Sequence, residues 1–205
     1  MEAALFESAH SALVFAHHYQ PGEKTVLGRL AGPSGGGSGR GLGGLDGSAQ
    51  AGMILRELGE LSELYQALLI ARTAPAWDIC PCSRPCCSGR KANPVWVAAI
   101  GILSREAKLI LGGAHASFAV RAACVKRHLL RKNERTPVDA MAAEYEINRQ
   151  TMGKYVTAIS KWLTNKEKDA LTQFDTVLRE LGMVGSADAV SQQNMPSNAL
   201  FRAAA

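Results

Sequence analysis

Residues 138–163 read VDAMAAEYEINRQTMGKYVTAISKWL, and the fold turns on how this stretch is interpreted. A short apolar-periodic run ends at Tyr145, Glu146-Ile147-Asn148 interrupts it, and a longer run follows. Ala142 is small enough for one helix to cross another closely. Glu146 stands four residues later, where a tight turn between helices usually takes glycine, because other residues are strained there. Ile147 supplies an aliphatic side chain to bury after the turn, and Asn148 a side chain able to cap the next helix. Met152, Tyr155, Val156 and Ile159 recur at helical spacing on one face of that helix, with Arg149, Gln150, Gly153, Lys154 and Thr157 on the other. This pattern predicts a helix-turn-helix. Laid in a major groove, such a helix brings Arg149, Gln150, Lys154 and Thr157 to base edges and phosphates.

The charge distribution points the same way. The chain carries a net charge of +5, and between Arg121 and Lys168 eleven Lys/Arg stand against five Asp/Glu. Positive charge is therefore concentrated in the stretch that holds the pattern, as expected of a nucleic-acid-binding surface, although a solvated basic face has the same composition. Arg127, Arg131 and Lys132 precede the short helix and are the candidate phosphate contacts.

Working outward, the rest of the chain also reads as helix. Residues 2–19 place Leu5, Phe6, Ala9, Leu13 and Ala16 at helical spacing, and Pro21-Gly22 ends the run. Residues 48–73 repeat Ile54, Leu55, Leu58, Leu61, Leu64, Tyr65, Leu68 and Leu69 at three and four, predicting one long amphipathic helix. Pro94 opens a helix to about residue 111. Residues 116–132 predict another, with Phe118, Ala122, Val125 and Leu129 on its apolar stripe. Separate helices are expected at 148–164 and 165–181. Between them these segments give an all-α helical bundle with no strand pattern. The expected organisation is an N-terminal helix (1–31), a Gly/Ser-rich linker (32–47), a helical region with a cysteine-rich loop (48–113), the helix-turn-helix region (114–184) and a disordered tail (185–205).

Residues 75–94 form a proline-rich loop containing Cys80, Cys82, Cys86 and Cys87. Four thiols this close together suggest tetrahedral zinc bound as thiolates, with Arg84, Arg90 and Lys91 offsetting the negative charge. A redox or free-thiol cluster is the other use of such a set. His10, His17, His18, His115 or His128 could complete the site if the adjacent Cys86 and Cys87 do not both reach one metal. Cys124, alone within a helical run, is a packing residue. Trp77, Trp96 and Trp162 read as core anchors.

Several classes are excluded. No apolar run approaches the length of a membrane span. The first residues lack the basic region and apolar core of a secretory signal, so a cytoplasmic location is expected. Gly39–Gly44 matches a dinucleotide-binding glycine pattern, but it lies in the linker and follows no strand. There is no Ser/His/Asp set, no His-Glu-x-x-His and no acidic pair on one helix face, so the chain is not expected to be an enzyme.

A helical N-terminal part, a cysteine-rich loop and a basic C-terminal helix-turn-helix together resemble the late-gene antitermination (Q) proteins of lambdoid phages. The likeness is one of organisation, over roughly residues 48–182. It implies binding to double-stranded DNA near a late promoter and engagement of bacterial RNA polymerase. It also implies DNA contacts from Arg149, Gln150, Lys154 and Thr157, and a zinc-stabilised loop at 80–87. A simple repressor or activator, or a zinc-stapled helical interaction protein, is the alternative.

Overall fold

The computed structural model describes residues 5–19, 44–80, 82, 89–111 and 116–185. In chain order the elements are α1 (Ala9–His18), α2 (Gly44–Gly59), α3 (Glu63–Thr73), β1 (Trp77–Ile79), β2 (Arg90–Ala92), α4 (Pro94–Ile110), α5 (Phe118–Leu129), a 3-10 turn (Lys132–Glu134), α6 (Val138–Glu144) and α7 (Arg149–Glu180). The described chain is mostly helical, as the sequence indicates. Local chemistry sets the helix starts. The side chains of Ser8, Ser62, Asn93, Ser117 and Asn148 each accept a backbone N–H from the first turn of the helix they precede.

Four expectations need correction. The first helix begins at Ala9, not near residue 2, because Ser8 caps it, while Phe6 pairs as an isolated bridge with Val184. Residues 44–47, read as linker, are already helical. The expected helix over 48–73 is broken at residues 60–62. Shorter i to i+3 bonds close α2, the Gln66 side-chain amide donates to the Gly59 and Leu61 carbonyls, and Ser62 caps α3. The cysteine loop is flanked by strands, with Trp77, Asp78 and Ile79 paired antiparallel to Ala92, Lys91 and Arg90. Residues 20–43 and 186–205, which include most of the expected linker and the tail, lie outside the described residues.

The largest departure concerns α7. Where two helices are expected, a single helix of 32 residues runs from Arg149 to Glu180, a length of about 48 Å. Thr164, Thr172 and Thr176 could each act as a cap, but each hydroxyl donates to the carbonyl four residues back. These residues therefore sit inside the helix. The buried residues of α7 fall in two groups. Met152, Ile159 and Leu163 join Leu68, Trp96, Leu103, Val125 and Met141 in one core cluster. Ala170, Phe174 and Leu178 join Phe6, Leu13, Ile54, Leu58 and Leu69 in the other. α7 is thus shared by both, and α1, far away in sequence, packs onto its C-terminal half.

α6 and α7 end in the same way. After α7, Gly182 takes φ 69°, its N–H donates to Arg179 and the Met183 N–H donates to Leu178. After α6, Glu146 takes φ 54°, its N–H donates to Ala143 and the Ile147 N–H donates to Ala142. Both are Schellman turns, which favour glycine at the left-handed position. Glu146 tolerates a conformation that costs a side-chain-bearing residue about 1–2 kcal/mol. Glu146→Gly should therefore raise stability by about 0.5–1 kcal/mol, the relief being partly offset by glycine's larger unfolded-state entropy. Chemical denaturation measures it, and an unchanged or lowered midpoint would show that Glu146 is not strained there.

Candidate nucleic-acid interface

The turn at Glu146 sets the direction of α7. Ile147 packs against the first core cluster, and Asn148 Oδ1 accepts the Gln150 backbone N–H at 2.9 Å. Met152 and Ile159 are then buried, while Gln150, Lys154, Thr157 and Lys161 are exposed. Gln150, Gly153, Lys154, Thr157 and Ala158 line an open surface depression of about 600 Å³. A Cβ added at Gly153 would meet nothing within 4 Å, so neither turn geometry nor packing within the described residues calls for glycine there.

Arg149 behaves differently from its neighbours. Its Nε donates to the carboxylate of Asp139 on α6, and both side chains are exposed. An exposed pair of this kind contributes at most about 1 kcal/mol. Only Nε is engaged there, so the Nη groups of Arg149 keep their donors for another acceptor. From residue 149 to 166 the chain has no Asp or Glu, so α7 presents an acid-free face along five turns. Lys161 and Lys168 continue the Lys154 stripe at intervals of seven. That spacing carries meaning only because residues 149–180 form one helix.

The basic residues before α6 divide into two kinds. Arg127 Nη1 donates to the Thr136 carbonyl at 2.8 Å, and Arg135 donates to the Leu130 and His128 carbonyls. These two side chains hold the connection between α5 and α6 in shape. Arg131 and Lys132 are exposed and have no side-chain partner among the described residues. Behind this corner, Glu167 on α7 pairs with Arg72 on α3 at 2.9 Å, with His128 Nε2 4.0 Å away. Burial first, then Arg72 and Arg135, lower the His128 pKa below the usual histidine range.

At that loop, Cys80 Sγ and Cys82 Sγ lie 3.2 Å apart, and the Cys80 backbone N–H donates to the Gly89 carbonyl at 2.8 Å. Two thiolates sharing a tetrahedral zinc sit about 3.8 Å apart, given Zn–S near 2.3 Å. A modest opening brings this pair to ligand spacing. Cys86 and Cys87 lie outside the described residues, as does His115, and among the described residues no group of three or more potential ligands converges. Cys124 is fully buried, as its packing role requires, and burial pushes its thiol up to about 11, opposed by Arg127.

Two aromatic expectations are corrected. Trp96 is a core anchor, buried and donating Nε1–H to the Ala71 carbonyl at 3.0 Å, and Trp162 packs half-buried against the same cluster. Trp77 is 57% exposed and anchors no core. Phe118, expected on the buried stripe of α5, is 50% exposed with the Arg121 guanidinium 5.9 Å from its ring centre. The buried stripe runs through Val120, Cys124, Val125 and Leu129 instead. Among the described residues no helix is long and apolar enough to cross a membrane. No protein-family model, curated protein or solved structure matches this chain.

Proposed function

We propose that this chain is a sequence-specific DNA-binding transcription regulator, with α6 and α7 acting as a helix-turn-helix. The observation that carries the reading is the left-handed turn at Glu146, because it aims the capped, acid-free N-terminal half of α7 outward. In this reading Gln150, Lys154 and Thr157 enter the major groove, and Arg149 joins them through its Nη groups. Arg131 and Lys132 meet phosphates, while Arg127 supports the corner that presents them. Antitermination through bacterial RNA polymerase is the specific form suggested by the organisation of the chain; simple repression or activation is the alternative. Zinc held by Cys80 and Cys82 with Cys86 and Cys87 would staple the ribbon loop as a structural ion. The second reading, a zinc-stapled interaction protein that does not read DNA, rests on the same Cys80–Cys82 pair.

Gly153 offers a test that separates folding from binding. With open space around it, Gly153→Ala should raise stability by about 0.5–1 kcal/mol through helix propensity. The added methyl group should nevertheless weaken binding to a duplex enriched from a random-sequence pool by about tenfold, if this face seats against base edges. Lys132→Ala should weaken binding to all duplexes and reduce the salt dependence by about one unit of slope. Mobility shifts across a salt series read both variants. Unchanged duplex affinity in both would sink the DNA reading. Terminator read-through in transcription from a late promoter distinguishes antitermination from repression.

A further inference from the structure

The β1–β2 ribbon has a surface that the duplex-binding reading leaves unused. Directly opposed residues of an antiparallel pair share a face, which puts Trp77 and Ala92, and Ile79 and Arg90, on one side of the ribbon. Asp78 and Lys91 oppose each other on the other side. Trp77 is 57% exposed and Ile79 85% exposed, although the other tryptophans pack against the core. Pro75, Ala76, Trp77, Asp78, Ile79 and Arg90 line a groove of about 310 Å³. Asp78 also borders the groove, with Lys91 opposite it in the ladder. Arg90 is exposed and has no side-chain hydrogen bond or ion pair among the described residues.

We propose that this face binds single-stranded nucleic acid, with one base stacked on Trp77 and an adjacent phosphate met by Arg90. An exposed indole presents a flat π-surface that every base can cover, and a guanidinium two positions away along the same face matches a phosphate. Ile79 extends the apolar platform beside the indole. The net charge of +5 favours a polyanion. Among the described residues neither strand of the ribbon has a second partner strand. This surface is separate from the α7 face and does not depend on it.

The experiment uses the full chain with labelled oligothymidylate and oligouridylate, read by anisotropy and by tryptophan emission. Binding should quench emission in the native protein, and Trp77→Ala should weaken affinity by about tenfold. Trp77→Phe keeps a stacking ring and should lose about threefold or less. Arg90→Gln should lower the salt slope by about 0.7, the contribution of one phosphate on a single strand. Lys154→Ala should leave oligonucleotide binding unchanged, and Trp77→Ala should leave duplex binding unchanged. These last two results separate failure of this site from failure of the helix-turn-helix. The proposal is overturned if Trp77→Ala and Arg90→Gln bind both oligonucleotides as the native chain does. It is overturned equally if an acidic peptide quenches Trp77 where the oligonucleotides do not. Native melting behaviour of Trp77→Phe guards against a folding artefact.

Discussion

Phe174→Ala should cost about 3–5 kcal/mol of stability, the range for removing a fully buried aromatic side chain. Phe174 has no exposed surface and sits in the cluster formed by Phe6, Leu13, Ile54, Leu58, Leu69 and Leu178. The side chain is therefore surrounded by residues from α1, α2, α3 and α7, and the neighbours cannot all close over the space it leaves. Such a loss is a large fraction of the 5–15 kcal/mol typical of a domain. Hydrogen exchange should show where it falls. Amides of α1, α2 and the C-terminal half of α7 should lose protection first, because Trp96, Leu103, Met152 and Ile159 belong to the other cluster. A loss below about 1 kcal/mol, well short of the usual large-to-small range, would mean that α1 does not pack on α7 as described.

Lys166→Pro should cost about 3 kcal/mol or more, since proline in a helix interior removes a backbone hydrogen bond and clashes with the carbonyl four residues back. Lys166 lies in the middle of α7, so the affected carbonyl is that of Trp162. Its side chain makes only an exposed contact with Asp169 at 3.8 Å and lies 6.0 Å from the centre of the Tyr65 ring. Lys166→Ala is therefore the matching control, and should change stability by no more than about 0.5 kcal/mol. The comparison also decides between two readings of the sequence. If Asn165 capped a separate last helix, Lys166 would be its first residue, where proline is well tolerated. Equal denaturation midpoints for the two variants would restore the broken helix. A large difference requires the continuous one.

Sequence and structure agree where the deciding interaction is local. The cap at Asn148 depends on a side chain and a backbone N–H two residues apart. Sequence alone sufficed to place Asn148 before a helix and to show that Met152 and Ile159 would be buried opposite Gln150, Lys154 and Thr157. It also marked Glu146 as the turn residue standing where glycine is usual, and φ 54° bears that out. The packing role of Cys124 was legible for a similar reason: a lone thiol among apolar residues has little else to do.

Other outcomes depended on partners distant in sequence. Thr164-Asn165 resembles a helix stop until Leu163 and Ala170 find separate clusters to bury against and hold the intervening turns helical. Arg149 looks like a free reader of bases until Asp139 on α6 comes within its reach. Arg127 and Arg135 carry the same charge as Arg131, yet carbonyls at Thr136, Leu130 and His128 occupy them. Trp77 reads as a core residue on hydrophobicity alone, yet it stands exposed on one ribbon face with Ile79 and Arg90. Periodicity and capping determined which residues form helices and which helix faces are apolar, because both act over one or two turns. Which helices merge, which charges stay unpaired and which aromatics stay exposed was decided by tertiary packing, because burial and ion pairing depend on groups that the chain brings together only when it folds.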